Sequence, residues 1–270
     1  MQEITLTRPE FLVLLDALGA TAVVGLDPEH LRPASTAELR QLVVQGLASL
    51  EARGLLRTLA DDVKELNPLL VAVATVVTEP VIALISIRDL PGTGRQLFLH
   101  YQNGAFLVEQ TLPAEGLHRL ATLANQEALF TRLLAIFPVE GAAEVGNAVS
   151  LPQAAFLAAK DAAERGQPDA AVAAFTQHGM SAEAAQALTD ALTEPTFSGT
   201  IALLRCNEAT IIDARNPAIL QGRQGAWSIA QFPAGAATFQ ITPLNAATLR
   251  AQLTTWFAEL ASVSLPTTQG

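Results

Sequence analysis

At 270 residues, half of them apolar, the chain can bury one large core or two of ordinary size, which excludes the disordered class. A formal charge of −10, with Lys64 and Lys160 as the only lysines, repels phosphate backbones and anionic headgroups and argues against nucleic acid as a partner. Apolar stretches such as Leu69 to Val77 fall far short of the roughly 20 residues that cross a bilayer, and the single Cys206 rules out an intramolecular disulfide.

The start, MQEITLTRPEFLVLLDALGA, places Glu3, Glu10 and Asp16 where a signal peptide needs basic and purely apolar regions, so a cytoplasmic location is expected. Phe11 to Leu15, with Leu18 and Gly19, reads as a short helix closed by glycine, and Asp27-Pro28 or Arg32-Pro33 marks a loop. Ser35 or Thr36 caps a helix whose apolar positions are Leu39, Leu42, Val43, Leu47 and Leu50, with Gly46 among them; Arg53-Gly54 ends it. Asn67-Pro68 opens a helix to Val77, although its valines keep a buried strand as the alternative. Val81 to Ile87 reads as a strand buried on both faces. Asn103-Gly104, between LFLHYQ and AFLVEQ, predicts a hairpin because both residues tolerate positive φ. From Pro113 a helix carrying Leu117, Leu120 and Leu123 is expected, then further helix to Phe137. Ala-rich helices follow over 153–165 and 168–177.

Thr78-Glu79-Pro80 recurs as Thr193-Glu194-Pro195, 115 residues on. After the first copy come VIALISIRD, Gly94-Arg95-Gln96, LFLHYQ, AFLVEQ and LPAEGLHRLATL. After the second come TIALLRCNE, Gly222-Arg223-Gln224, WSIAQF, a Pro233-Ala234-Gly235 turn, ATFQI and TPLNAATLRAQLTTWF. The expected fold is α+β, an internal duplication with pseudo-twofold symmetry in which each half runs helices, a mostly antiparallel sheet and a closing helix. Residues 1–137 form the first repeat, 138–149 a linker and 150–270 the second repeat. Aligned this way, the second copy carries an insertion, Glu208 to Gly225. Its centre, Pro217, Ile219 and Leu220 between Arg215 and Arg223, is either an extra edge strand folded onto the core or an exposed contact for another protein. These five residues are the candidate partner-binding site.

Signs of catalysis are missing from the sequence. His30, His100, His118 and His178 lack metal-ligand spacing, so neither metal nor cofactor is expected. His100 reads as a half-exposed sheet residue. Gly92-Thr93-Gly94 lacks a third glycine and lies between strands, unlike a dinucleotide loop. Asp16, Asp61, Asp62 and Glu65 include no pair in an apolar run, and no Gly-x-Ser-x-Gly occurs. The chain is therefore expected not to be an enzyme. Leu39 to Leu56 has a winged-helix pattern, but Arg40, Glu51 and Arg53 are its only charges, which favours protein over DNA as its contact.

Leu47-Ala48-Ser49-Leu50-Glu51-Ala52-Arg53-Gly54-Leu55-Leu56, then Leu66-Asn67-Pro68-Leu69-Leu70, then Thr78-Glu79-Pro80 before a strand and the Asn-Gly hairpin together resemble the EspG family. These are the cytosolic chaperones of type VII (ESX) secretion. The resemblance implies a pseudo-twofold mixed sheet flanked by helical bundles and a non-catalytic function: binding the helical tip of a secreted substrate protein and delivering it for export. It implies no cofactor, nucleic acid or membrane contact. The alternatives are a general protein-binding scaffold and a winged-helix-like regulator.

Overall fold

In the computed structural model, residues 3–263 are described except 28–30, 32, 34, 60–62, 114, 142–146, 208–209 and 232–236. His30, Asp61, Asp62 and the Pro233-Ala234-Gly235 turn lie outside the described residues.

Thr7 joins β1 (Glu3–Thr7) to α1 (Arg8–Ala17) through a capping box: its hydroxyl accepts from the Glu10 N–H, while the Glu10 carboxylate accepts from the Thr7 N–H. Ser35 caps α2 (Thr36–Ala52), which leads into a small hairpin of β2 (Leu56–Thr58) and β3 (Lys64–Leu66). Asn67 and Pro68 then start α3 (Pro68–Thr78). The valines of α3 do not convert it to a strand, because Leu70, Val73, Val76 and Val77 bury one face in the core, and that burial outweighs their propensity.

The sheet of the first half is β4 (Ile82–Leu90), β5 (Gly94–Asn103), β6 (Phe106–Thr111) and β7 (Leu117–Leu123), closed by α4 (Gln126–Ile136). The helix expected from Pro113 is thus corrected: Leu117, Leu120 and Leu123 lie in a strand laddered to β1 on one side and β6 on the other. Their threefold spacing fits a helix equally well, and long-range pairing decides the outcome.

The second half repeats the order without a counterpart of the β2–β3 hairpin among the described residues: β8 (Val149–Pro152), α5 (Gln153–Glu164), α6 (Pro168–Gln177), α7 (Ala182–Thr193), β9 (Phe197–Asn207), β10 (Thr210–Arg215), β11 (Ala218–Gln221), β12 (Ala226–Gln231), β13 (Thr238–Leu244) and α8 (Ala246–Ser262). The large sheet runs β1-β7-β6-β5-β4-β9-β11-β12-β13-β8, antiparallel throughout, with β10 also paired to β9. This order is the same from either end, and the halves merge where β4 pairs β9. One face carries α1–α3 over the first half and α5–α7 over the second. The other carries α4 and α8 across the seam, with Phe130 edge-on to Phe257 at 5.5 Å.

The ladders correct the repeat alignment by one strand. Ile85 pairs Leu99 as Thr200 pairs Ala218, so β10 and β11 together are the counterpart of β5, not an insertion. Pro217, which has no N–H to donate, marks the break between them. Gly222-Arg223-Gln224 lies in the turn between β11 and β12, the place of Asn103-Gly104 rather than of Gly94-Arg95-Gln96. The capping residues Asn125 and Asn245 are 120 residues apart, so the spacing grows by only five from Thr78 and Thr193.

Candidate functional site

On the bundle face, the two halves treat the same stretch of sheet differently. In the first half the segment after α1 lies on Ile85 and Leu99, with Val23 and Leu26 buried in the core and the Tyr101 hydroxyl donating to the Val24 carbonyl at 2.8 Å. A Cβ on Gly25 would stand 2.7 Å from Leu99 Cδ2 and 2.9 Å from Ile85 Cγ1, and its φ is +86°, so only glycine seals this floor. In the second half α5 and α6 are joined by Arg165, Gly166 and Gln167 alone. The equivalent floor, Thr200 and Ala218, therefore lines an open groove of about 660 Å³.

Phe156 and Lys160 of α5 and Leu192 of α7 form its outer wall; Ile87 and Ile229 extend the apolar floor. Asp89 and Arg95, opposite each other in the β4–β5 ladder, stand on the rim. Lys160 pairs with Glu164, one turn along α5.

Of the two alternatives for the five residues singled out in the sequence, the exposed contact is corrected: the segment folds onto the core, as an inner strand between β9 and β12 rather than an edge strand. Ile219 is 1% exposed and belongs to the seam core, while Leu220, 7% exposed, points to the opposite face and lines the groove floor. Pro217 is buried. Arg215 ties β10 to α8 through Glu259 at 3.4 Å and also pairs with Asp213 of its own strand at 2.8 Å. Arg223, 84% exposed, pairs with Glu194 beside the β11–β12 turn. Phe156, Lys160, Leu192 and Thr200 escaped sequence reading. The signal that finds them is the difference between the long α1–α2 and three-residue α5–α6 connections.

His100 is a second correction: it is fully buried, and its Nε2 lies 3.1 Å from Glu109, its direct partner in the β5–β6 ladder. Arg132 of α4 clamps the same carboxylate with Nε at 2.9 Å and Nη2 at 2.6 Å. Burial by itself raises the Glu109 carboxyl, but the hydrogen bonds from His100 and Arg132 outweigh it and bring it down to about 2. A carboxylate held ionised that firmly does not exchange protons near neutrality, and the pair sits under α4, away from the groove. Glu10 is similar: buried, it accepts from Ser49 and from Arg53, each at 2.8 Å, and despite desolvation its carboxyl is held below the usual range by the Thr7 N–H, Arg53 and Ser49. Among the described residues no group of three His, Cys, Asp or Glu side chains could hold a metal, and no helix is long and apolar enough to cross a membrane.

Fold and groove together define a protein built on one large sheet with paired helical bundles, one stretch of the sheet covered by its own chain and the equivalent stretch open. The EspG family profile matches residues 7–255, and the chain belongs to that family. Its fold is similar to that of the Mycobacterium tuberculosis type VII secretion system chaperone EspG5, solved in complex with a PE25–PPE41 dimer. The TM-score is 0.71 over 98% of this chain and 99% of that one, at 16% identity. No curated protein matches the chain.

Proposed function

We propose that the chain is a cytoplasmic type VII secretion chaperone that binds the helical tip of a secreted protein through the groove over Thr200 and Ala218, without catalysis. The observation that carries this reading is the asymmetry between the halves: the equivalent stretch of sheet is covered by the chain itself in one and left open in the other. The protein complex formed by the structurally similar EspG5 supports a protein as occupant. A stable contact buries about 1,200–2,000 Å² in total, so the groove is the centre of a larger interface, with β11 as its floor strand.

The test mixes the purified chain with a PE–PPE-type heterodimer encoded by the same genome and measures complex formation by size-exclusion chromatography with light scattering. A ternary complex that Leu192→Asp abolishes, while the variant's circular dichroism stays native, is the expected result. A folded chain that leaves such heterodimers free counts against the reading.

A further inference from the structure

We infer that the groove selects a tip bearing one bulky apolar side chain beside a carboxylate; this rests on the groove being the partner site. The chain's own plug shows what the floor accepts. Over Ile85 and Leu99 there is room for no side chain at all, and glycine is the residue found there. At the equivalent positions of the second half stand Thr200, shorter than isoleucine by one carbon, and Ala218, which cuts leucine back to a single methyl and opens most of the space. The space so opened is bounded by Ile87, Ile229, Phe156 and Leu192, all apolar. A large aliphatic or aromatic side chain fills it, where glycine would leave a void whose lining lacks contacts. The place of Tyr101, whose hydroxyl holds the plug's carbonyl, is taken by Leu220, so the open groove grips its occupant by shape rather than through that hydrogen bond.

Charge supplies the second half of the preference. In a chain of 16 basic and 26 acidic residues, the groove gathers Arg95 and Lys160. Arg95 makes no ion pair with the described residues, although Asp89 stands opposite it in the ladder, whereas Lys160 is already paired with Glu164; among the described lining residues Asp89 is the one carboxylate. A partner carboxylate beside Arg95 gains a charge-assisted contact, and Lys160, 40% exposed and held by Glu164, adds a longer-range attraction that salt screens.

The test titrates the full-length chain with fluorescein-labelled peptides copying its own Ala20–Asp27: the native sequence, a Gly25→Leu version, and Gly25→Leu with Asp27→Asn. Fluorescence anisotropy should show the Gly25→Leu peptide binding about tenfold tighter than the native one, the gain expected when much of a leucine leaves water. Asp27→Asn should weaken it about threefold at low salt, and Arg95→Gln with Lys160→Gln in the protein should erase that difference while keeping the leucine preference. Rebuilding the sealed floor by Thr200→Ile with Ala218→Leu should abolish binding; Ala218→Val, a smaller fill, should weaken it if the double variant does not fold. Equal affinity of native and Gly25→Leu peptides, no binding by either, or binding that survives the floor variants in a folded protein would overturn the inference. A chain that prefers the leucine peptide yet ignores the secreted heterodimer would instead overturn the chaperone reading alone.

Discussion

Ser86 and Ile201 face each other across the β4–β9 ladder and are 115 residues apart, the same separation as Thr78 and Thr193. A residue that pairs with its own repeat equivalent lies on the symmetry axis, so the pseudo-twofold passes through this pair. Its two members differ chemically. Ile201 belongs to the seam core, whereas the Ser86 hydroxyl, also fully buried, finds no protein partner among the described residues.

A buried hydroxyl without a partner contributes nothing and leaves its desolvation uncompensated. Ser86→Ala should therefore leave the melting temperature unchanged or raise it, by up to about 1 kcal/mol of stability. A clear drop in thermal or urea unfolding would show that the hydroxyl is satisfied in solution.

The repeat was legible because Thr-Glu-Pro fixes a helix end before a strand in both halves, where proline stops the helix. The strand alignment was not, because Gly-Arg-Gln recurs by coincidence: once as the start of β5 and once as the β11–β12 turn, where a Cβ on Gly222 would stand 2.6 Å from that of Ala191. The Asn103-Gly104 turn was readable from local chemistry, and Gly104 has φ +57°. Burial of His100 was not readable, since the Arg132 that clamps its partner Glu109 is brought from α4, far along the chain. The groove was hidden for the same reason: an open floor is visible only when both halves are laid on one sheet.

Gly46 shows how a sequence position can be read correctly while its reason stays invisible. Its helical spacing was plain, but α2 crosses α1 there so closely that a Cβ would lie 2.3 Å from the Pro9 carbonyl oxygen and 2.8 Å from Val13 Cγ2. Alanine in a helix interior gains about 1 kcal/mol over glycine. Here the contact is with backbone, which cannot swing away, so Gly46→Ala should destabilise by about 2 kcal/mol net. Urea unfolding measures it, and a stabilised variant would mean that the helices are further apart than described.

The last prediction follows from Glu109. Its carboxyl sits at about 2 when folded, below the 4.5 of an ordinary glutamate, so its contribution to stability is complete above roughly pH 4.5 and is lost as the pH falls toward 2. Arg132 is 44% exposed, which screens part of the attraction, and the contribution is discounted to about 2 kcal/mol. Glu109→Gln should thus lower the melting temperature at pH 7 and flatten its decline between pH 5 and 2.5. The decline should not vanish, because Glu10, also held below the usual range, titrates in the same direction. The measurement is a pair of melting curves across that range; parallel declines for wild type and variant would show that the His100–Glu109–Arg132 cluster is not what ties the seam to pH.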